Sequence, residues 1–162
     1  MNIVFLDVDG VLNSRDYTAY CSEKYGEHYG AWKIPFDPKC MENLKKIVEE
    51  TKSKIVISST WRKHEKNMEK LMGALKEYDL DEEVIGKTAD LGTTRGQEIG
   101  EFLKALGGKH NFVILDDDND MEEFMPHLVL TKFSTGLTEK EANEAIAMLM
   151  PSRDKKLDNF CR

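Results

Sequence analysis

Near its start the chain reads Ile3-Val4-Phe5-Leu6-Asp7-Val8-Asp9-Gly10-Val11-Leu12-Asn13. The four apolar residues predict a buried strand, and this strand runs directly into two carboxylates that are one residue apart. Because alternate residues of an extended segment point the same way, Asp7 and Asp9 can converge on one site. Gly10 then allows the backbone to turn sharply. A strand that brings two acids to its carboxyl end indicates a functional site.

The composition is typical of one globular domain, and we expect a single domain over residues 1–162. Of the 162 residues, 40% are hydrophobic and 33% are charged. A net charge of −7 argues against a broadly basic surface for nucleic acid, although it leaves room for a local site that binds a phosphorylated end. No apolar run approaches the roughly 20 residues that span a bilayer. No signal-peptide pattern is visible, and the cysteines (Cys21, Cys40 and Cys161) form no CxxC pair, so we expect reduced thiols and a cytoplasmic location.

Apolar strands alternate with amphipathic helices along the chain. The pattern predicts strands at 2–7, 54–58, 84–85, 112–115 and 128–130, and helices that begin near 38, 60, 95 and 139. Such alternation predicts a three-layer, Rossmann-like α/β fold, in which a parallel sheet carries helices on both faces. The polar, aromatic segment 13–36 is predicted to be a small cap-like insertion, and 151–162 a polar tail.

Polar side chains follow three of the predicted strands, at the edge where such sheets bind ligands. They are Asp7 and Asp9, then Ser58, and then the run Asp116-Asp117-Asp118-Asn119-Asp120. Clustered carboxylates repel one another unless a cation neutralises them, and an all-oxygen ligand set suits Mg²⁺. A calcium loop is a poorer interpretation of the aspartate run, since Met121 and His127 occupy its required glycine and glutamate positions.

These residue types together favour phosphoryl transfer. One aspartate can attack phosphorus, and a second, two residues on, can protonate the leaving group and later activate water. Ser58 supplies a hydroxyl group for the transferred phosphoryl oxygens. Arg95, at the start of a predicted helix, supplies a guanidinium group suited to the same oxygens.

Three motifs resemble those of the haloacid dehalogenase-like (HAD) superfamily of phosphohydrolases. They are 7–12 (Asp-Val-Asp-Gly-Val-Leu), 55–59 (Ile-Val-Ile-Ser-Ser) and 113–120, which ends in the aspartate run. The resemblance extends from Met1 to about Met150. The segments 58–62 and 95–99 are also similar to a small subgroup of these domains, some of which occur in RNA-repair proteins.

The resemblance implies specific roles for the first two motifs. Asp7 would be the nucleophile and a Mg²⁺ ligand. Asp9 would be the general acid and base, with its backbone carbonyl on the metal. Ser58 would hold the transferring phosphoryl group, and its neighbours Ser59 and Arg62 are candidate contacts to substrate.

The later motifs leave alternatives open. Arg95 fits the cation of the third motif best, and Lys87 is the second candidate. One alignment of the fourth motif makes Asp117 the metal ligand with Asp116 beside it, and the other pairs Asp116 with Asp120.

The predicted function is a Mg²⁺-dependent phosphatase with an aspartyl-phosphate intermediate. Asp9 favours this activity, because the ATPase branch of the superfamily carries another residue there. The substrate is expected to be a phosphomonoester, either a small molecule or a nucleotide or polynucleotide end, and no membrane or protein partner is evident. The alternative is a phosphate-accepting receiver or an inactive phosphate-binding module. A receiver carries adjacent acids after its first strand, whereas the acids here are spaced Asp-x-Asp.

Overall fold

Five parallel strands form the centre of the structure, a computed structural model that describes residues 1–26 and 33–150. They are β1 (Asn2–Leu6), β2 (Lys54–Ile57), β3 (Val84–Lys87), β4 (Asn111–Asp116) and β5 (Leu128–Leu130). Their order in the sheet is β3-β2-β1-β4-β5, and every neighbouring pair is parallel. The predicted α/β fold with a parallel sheet is therefore confirmed.

The helices of the described residues are α1 (Arg15–Tyr25), α2 (Pro38–Thr51), α3 (Glu65–Glu77), α4 (Arg95–Leu106) and α5 (Glu139–Leu149). Short 3₁₀ helices cover Thr60–Lys63, Asp81–Glu83 and Glu122–His127. Sequence signals account for the starts of α2 and α4. Asp37 caps α2 by accepting a hydrogen bond from Lys39 N (2.9 Å). Thr94 caps α4 in the same way, through Gln97 N (3.3 Å).

One predicted helix begins later than expected. Residues 60–63 form a separate 3₁₀ turn, in which Ser59 Oγ accepts a hydrogen bond from Trp61 N (3.2 Å). His64 then adopts an extended conformation, and α3 begins only at Glu65. The separate turn keeps Trp61 and Arg62 close to the end of β2.

Both faces of the sheet are covered, which explains why its strands are continuous apolar runs. On one face, side chains such as Val4 and Leu6 are buried against α2, α3 and α5. On the other, Ile3 and Phe5 are buried against α4 and the 3₁₀ helix before β5. Helices α2 and α3, which connect β1 to β2 and β2 to β3, lie on the first face, whereas α4, which connects β3 to β4, lies on the second. The connections therefore change face between the neighbouring strands β1 and β4. In open α/β sheets, ligands bind at this switch point, beyond the carboxyl ends of the strands.

Part of the predicted cap-like insertion lies outside the described residues. Ser14 and α1 occupy its first half, and Ser14 Oγ caps the helix through Tyr17 N (3.1 Å). Residues 27–32 and the predicted tail 151–162 are not described, so the role of the insertion as a cap stays a prediction. Among the described residues, no helix has the length and apolarity needed to cross a membrane.

Candidate active site

The register of the sheet brings three predicted site residues to one level. Leu6 of β1 pairs with Ile57 of β2 and with Leu115 of β4. The next residue of each strand is therefore Asp7, Ser58 or Asp116. Backbone hydrogen bonds extend the ladder to this level, with Asp7 N donating to Leu115 O and Ser58 N donating to Leu6 O, both at 3.0 Å. Asp7 thus stands between Ser58 and Asp116 at the switch point of the sheet.

Asp7, Asp116 and Asp117 form an acidic group. Each offers a carboxylate oxygen, and these oxygens all lie within 4.8 Å of one another. Asp7 and Asp116 are buried, and Asp117 is half-buried. Gly10 leaves the space that Asp117 occupies, because a Cβ atom at Gly10 would lie 2.4 Å from Asp117 Oδ2. Gly10 also has a φ of +75°, which side chains rarely adopt, so two constraints favour glycine there.

Burial raises the pKa of each carboxyl in the acidic group. For Asp7, the Arg95 charge and hydrogen bonds from Ser59 and Arg95 partly oppose the effect of burial on the pKa. Burial and the nearby Asp7 carboxylate raise the pKa of Asp116 to about 7. The pKa of Asp117 is raised by the same two causes. These shifts mean that the group is costly to ionise without a cation.

The acidic group fits a divalent metal of the Mg²⁺ type. Its donors are all carboxylate oxygens, which Mg²⁺ prefers. Asp116 Oδ2 is buried and accepts no hydrogen bond within the described residues, although it lies 3.1 Å from Arg95 Nη1 as an ion pair. A buried carboxylate oxygen without a hydrogen-bond donor is chemically suited to coordinating a cation.

Arg95 is the cation that contacts the acidic group. Its Nη1 atom lies 3.3 Å from Asp7 Oδ1 and 3.1 Å from Asp116 Oδ2. Arg95 is the first residue of α4, and its backbone N donates to Asp120 Oδ2 (3.1 Å). Gly96 lets this helix approach the loop after β4, since a Cβ atom there would lie 2.4 Å from Met121 O. Asp120 thus anchors the start of α4 and is not one of the three clustered acids.

Asp9 lies beside the acidic group in sequence, but its exposed carboxylate has different partners. Asn13 Nδ2 donates to Asp9 Oδ1 at 2.7 Å, and Trp61 Nε1 donates to Asp9 Oδ2 at 2.9 Å. Two neutral donors therefore orient this carboxylate. The contact from Trp61 was missed by sequence reasoning. The available signal was that the turn containing Trp61 follows β2, so it begins at the same edge of the sheet.

Ser58 and Thr88 place two buried hydroxyl groups at this edge. Thr88 N donates to Ile57 O (3.0 Å), so Thr88 follows β3 at the level of Ser58. Neither Ser58 Oγ nor Thr88 Oγ1 has a hydrogen-bond partner among the described residues. The sequence analysis singled out Ser58 and missed Thr88, because the strand predicted at 84–85 is shorter than β3 (Val84–Lys87) and does not run up to Thr88.

Arg62 is not placed in the acidic group, although it was a candidate contact to substrate. Its side chain is only 3% exposed. Its five N–H groups donate to acceptors of the protein: Thr88 O, Ser58 O, Ser59 O, Ala89 O and Glu98 Oε2. No donor of the guanidinium group remains for a substrate phosphate. The sequence could not show this, because the carbonyl acceptors come from segments that are distant in the chain.

The other two candidate contacts, Lys87 and Ser59, are each hydrogen-bonded to this buried arginine. Lys87 is exposed, and its Nζ atom donates to Arg62 O (3.2 Å). Of the two candidate cations, Arg95 and not Lys87 contacts Asp7 and Asp116. Ser59 is fully buried, and its hydrogen bond to Asp7 acts to lower the pKa of that acid.

The raised pKa of Asp116 predicts how the stability of the metal-free protein depends on pH. The pKa is about 7 in the folded protein, against an ordinary value of 3.8. The folded state therefore holds the proton more tightly than the unfolded state, and this stabilises the fold. The stabilisation is complete below about pH 4 and is lost as the pH rises through about 7. In EDTA, we expect the wild type to unfold at a temperature several degrees lower at pH 8 than at pH 5. Asp116→Asn should reduce this difference, and the exposed-site control Asp118→Asn should keep it. Thermal unfolding followed by circular dichroism tests this, and equal pH dependence in wild type and Asp116→Asn would contradict it.

A family model described as the HAD domain in Swiss Army Knife RNA repair proteins matches residues 3–142. The matched range contains all of the site residues described above. No match was found among curated proteins or among solved structures.

Proposed function

Because this chain belongs to the family of HAD domains in Swiss Army Knife RNA repair proteins, we propose that it is a Mg²⁺-dependent phosphatase that hydrolyses a phosphomonoester. Membership of a HAD family supports an activity of the phosphatase type. The observation that carries the proposal is the register, which places Asp7 between Ser58 and Asp116, with Arg95 against both acids.

In the first step, a carboxylate oxygen of Asp7 attacks the phosphorus atom. A new O–P bond forms to Asp7, and the bond from phosphorus to the leaving oxygen breaks. Asp9 gives its proton to the leaving oxygen, so the substrate departs as an alcohol. Arg95 and Ser58 provide a positive charge and a hydroxyl donor for the oxygens of the transferred group.

In the second step, water attacks the phosphorus atom of the aspartyl-phosphate. Asp9, now a carboxylate, takes a proton from this water, and the O–P bond to Asp7 breaks. Inorganic phosphate leaves, and the Asp7 carboxylate and the Asp9 acid are restored. The hydrogen bonds from Asn13 and Trp61 hold the Asp9 carboxylate in one orientation through this exchange.

Asp7, Asp116 and Asp117 are the residues that would hold Mg²⁺. When bound, the ion supplies positive charge that offsets the three carboxylates and the charge on the phosphate. Arg95 then adds to this charge from the start of α4. Arg62 supports the arrangement indirectly, because it binds the backbone carbonyls of Ser58 and Ser59.

The proposal predicts metal-dependent phosphate release. The purified chain should hydrolyse an aryl phosphate such as p-nitrophenyl phosphate in the presence of MgCl₂. Because three clustered carboxylates need a cation, EDTA should abolish the hydrolysis, and excess MgCl₂ should restore it. Release of nitrophenol and of phosphate measures the activity.

The substrate class we propose is a nucleotide or a phosphorylated polynucleotide end. Nucleotides and oligonucleotides with 5′- or 3′-phosphates are therefore tested beside the aryl phosphate. Absence of hydrolysis with every substrate would contradict the proposed function. A phosphoprotein that persists for minutes without turnover would instead support the receiver-like alternative.

A further inference from the structure

A pocket of about 330 Å³ opens beside Asp9. Its lining includes Asp9, Asn13, Phe36, Trp61, Asn67 and Lys70. The volume is near the lower end of the range for small-molecule sites, which is about 300–1,000 Å³, so the pocket suits one ring-bearing group. Since Asp9 is the proposed acid for the leaving oxygen, the pocket lies on the side where the leaving group must be.

Trp61 and Phe36 line one side of this pocket, where the half-buried Trp61 presents more surface than Phe36, which is only 5% exposed. The rings of Phe36 and Trp61 are 5.4 Å apart between centroids and inclined at 48°. The indole N–H of the same Trp61 donates to Asp9 Oδ2 (2.9 Å). One side chain therefore joins the wall of the pocket to the proposed acid.

A positive charge and two amides also line the pocket. Lys70 Nζ lies 5.4 Å from the centroid of Phe36 and 5.8 Å from that of Trp61, and it donates to Ile34 O (2.8 Å). The amide of Asn67 can donate and accept hydrogen bonds. The amide of Asn13 already donates to Asp9 Oδ1 (2.7 Å) and accepts from Gly10 N (3.0 Å). Aromatic surface, amides and a cation together are the groups with which proteins bind single-stranded nucleic acid, through base stacking, base edges and phosphate.

We propose that this pocket binds the terminal nucleoside of a phosphorylated nucleic-acid end, and that Lys70 pairs with the adjacent phosphodiester. The proposal rests on the proposed phosphatase function, because it is the scissile phosphate at Asp7 that puts the leaving nucleoside beside Asp9. Binding through one local cation is compatible with the net charge of −7, whereas a broad basic surface would not be.

The test compares the wild type with Lys70→Met, Lys70→Arg and the control Lys66→Met. Lys66 is exposed on the same helix, α3, and does not line the pocket. The substrates are dinucleotides that carry a terminal 5′- or 3′-phosphate, which contain a phosphodiester, and p-nitrophenyl phosphate, which does not.

We expect Lys70→Met to lower kcat/KM for a phosphorylated dinucleotide about tenfold through KM, the effect of losing one charge-assisted hydrogen bond. Its kcat/KM for p-nitrophenyl phosphate, which has no phosphodiester, should fall several-fold less than that for the dinucleotide, and this retained activity also shows that the variant is folded. Lys70→Arg should retain most of the dinucleotide activity, because it retains the charge. Lys66→Met should behave as wild type with both substrates.

The outcomes separate this inference from the proposed function. A wild type inactive with all substrates would overturn the proposed function, and the inference with it. An active wild type whose Lys70→Met variant loses neither activity, or loses both equally, would overturn only the inference.

Discussion

Asp7→Asn is expected to lower kcat by about 10⁴-fold or more, the scale on which loss of a nucleophile acts in covalent catalysis. The amide oxygen is a far weaker nucleophile than the carboxylate, so no aspartyl-phosphate should form. The substitution preserves the shape of the side chain, and it removes a buried acid whose pKa is raised by burial. The variant should therefore fold at least as stably as the wild type, so the loss reflects the missing carboxylate, both as nucleophile and as a metal ligand, and not misfolding.

Two measurements check this result. Phosphate release gives kcat, and acid-quenched samples analysed by mass spectrometry show whether a phosphorylated form accumulates on residue 7. Asp118→Asn is the matched control, because Asp118 is an exposed acid in the loop after β4 and lies outside the acidic group. Its turnover should stay within about twofold of wild type, the small effect expected of an exposed substitution. Retained turnover in Asp7→Asn would assign the nucleophile to another residue.

Glu98→Ala is expected to lower the free energy of unfolding by about 3–5 kcal/mol, the effect of removing one partner of a buried ion pair. Glu98 Oε2 accepts from Arg62 Nη2 at 2.6 Å, and the two side chains are 6% and 3% exposed. Glu98 Oε1 also accepts from Leu91 N (3.0 Å). The substitution would leave the guanidinium charge buried without its counterion, and one backbone donor without its acceptor.

Urea unfolding measures this effect, and a neighbouring surface pair provides the control. Lys63 Nζ lies 2.7 Å from Asp90 Oδ1, with side chains 38% and 49% exposed. Lys63→Ala should cost less than about 1 kcal/mol, because solvent screens an exposed pair. If Glu98→Ala cost no more than Lys63→Ala, the buried pair would have no special role in stability. Since Arg62 binds the carbonyls of Ser58 and Ser59, activity should fall together with stability.

Local signals predicted most of the fold. The apolar run 3–6 has the pattern of a strand buried on both faces, and capping residues such as Asp37 and Thr94 mark the helix starts that the structure has. Two α-helices were exceptions: α1, which lies in the segment 13–36 where no helix was predicted, and the helix after β2. Its apolar periodicity extends back to Trp61, but the extended backbone at His64 separates the 3₁₀ turn from α3.

Local signals also predicted the polar residues at the strand ends. In a parallel sheet the carboxyl ends of all strands meet at one edge, so a polar residue after a strand has a predictable neighbourhood. Asp7, Ser58 and Asp116 were found in this way, and the structure brings them to one level. Thr88 occupies the same level after β3, but its strand is short and carries no acid, so nothing drew attention to it.

The sequence alone determined which candidate site residues follow the strands and in what order along the chain. They are an Asp-x-Asp pair, then a serine, then an arginine at a helix start, then an aspartate run. Such features depend on local spacing, because the repeat of a strand or helix fixes the direction in which each nearby side chain points. Only the tertiary structure decided between alternatives that need contacts across the chain. It placed both Asp116 and Asp117 with Asp7 and left Asp120 at the start of α4. It also enclosed Arg62 among carbonyls and Glu98, because long side chains reach partners that no spacing rule specifies.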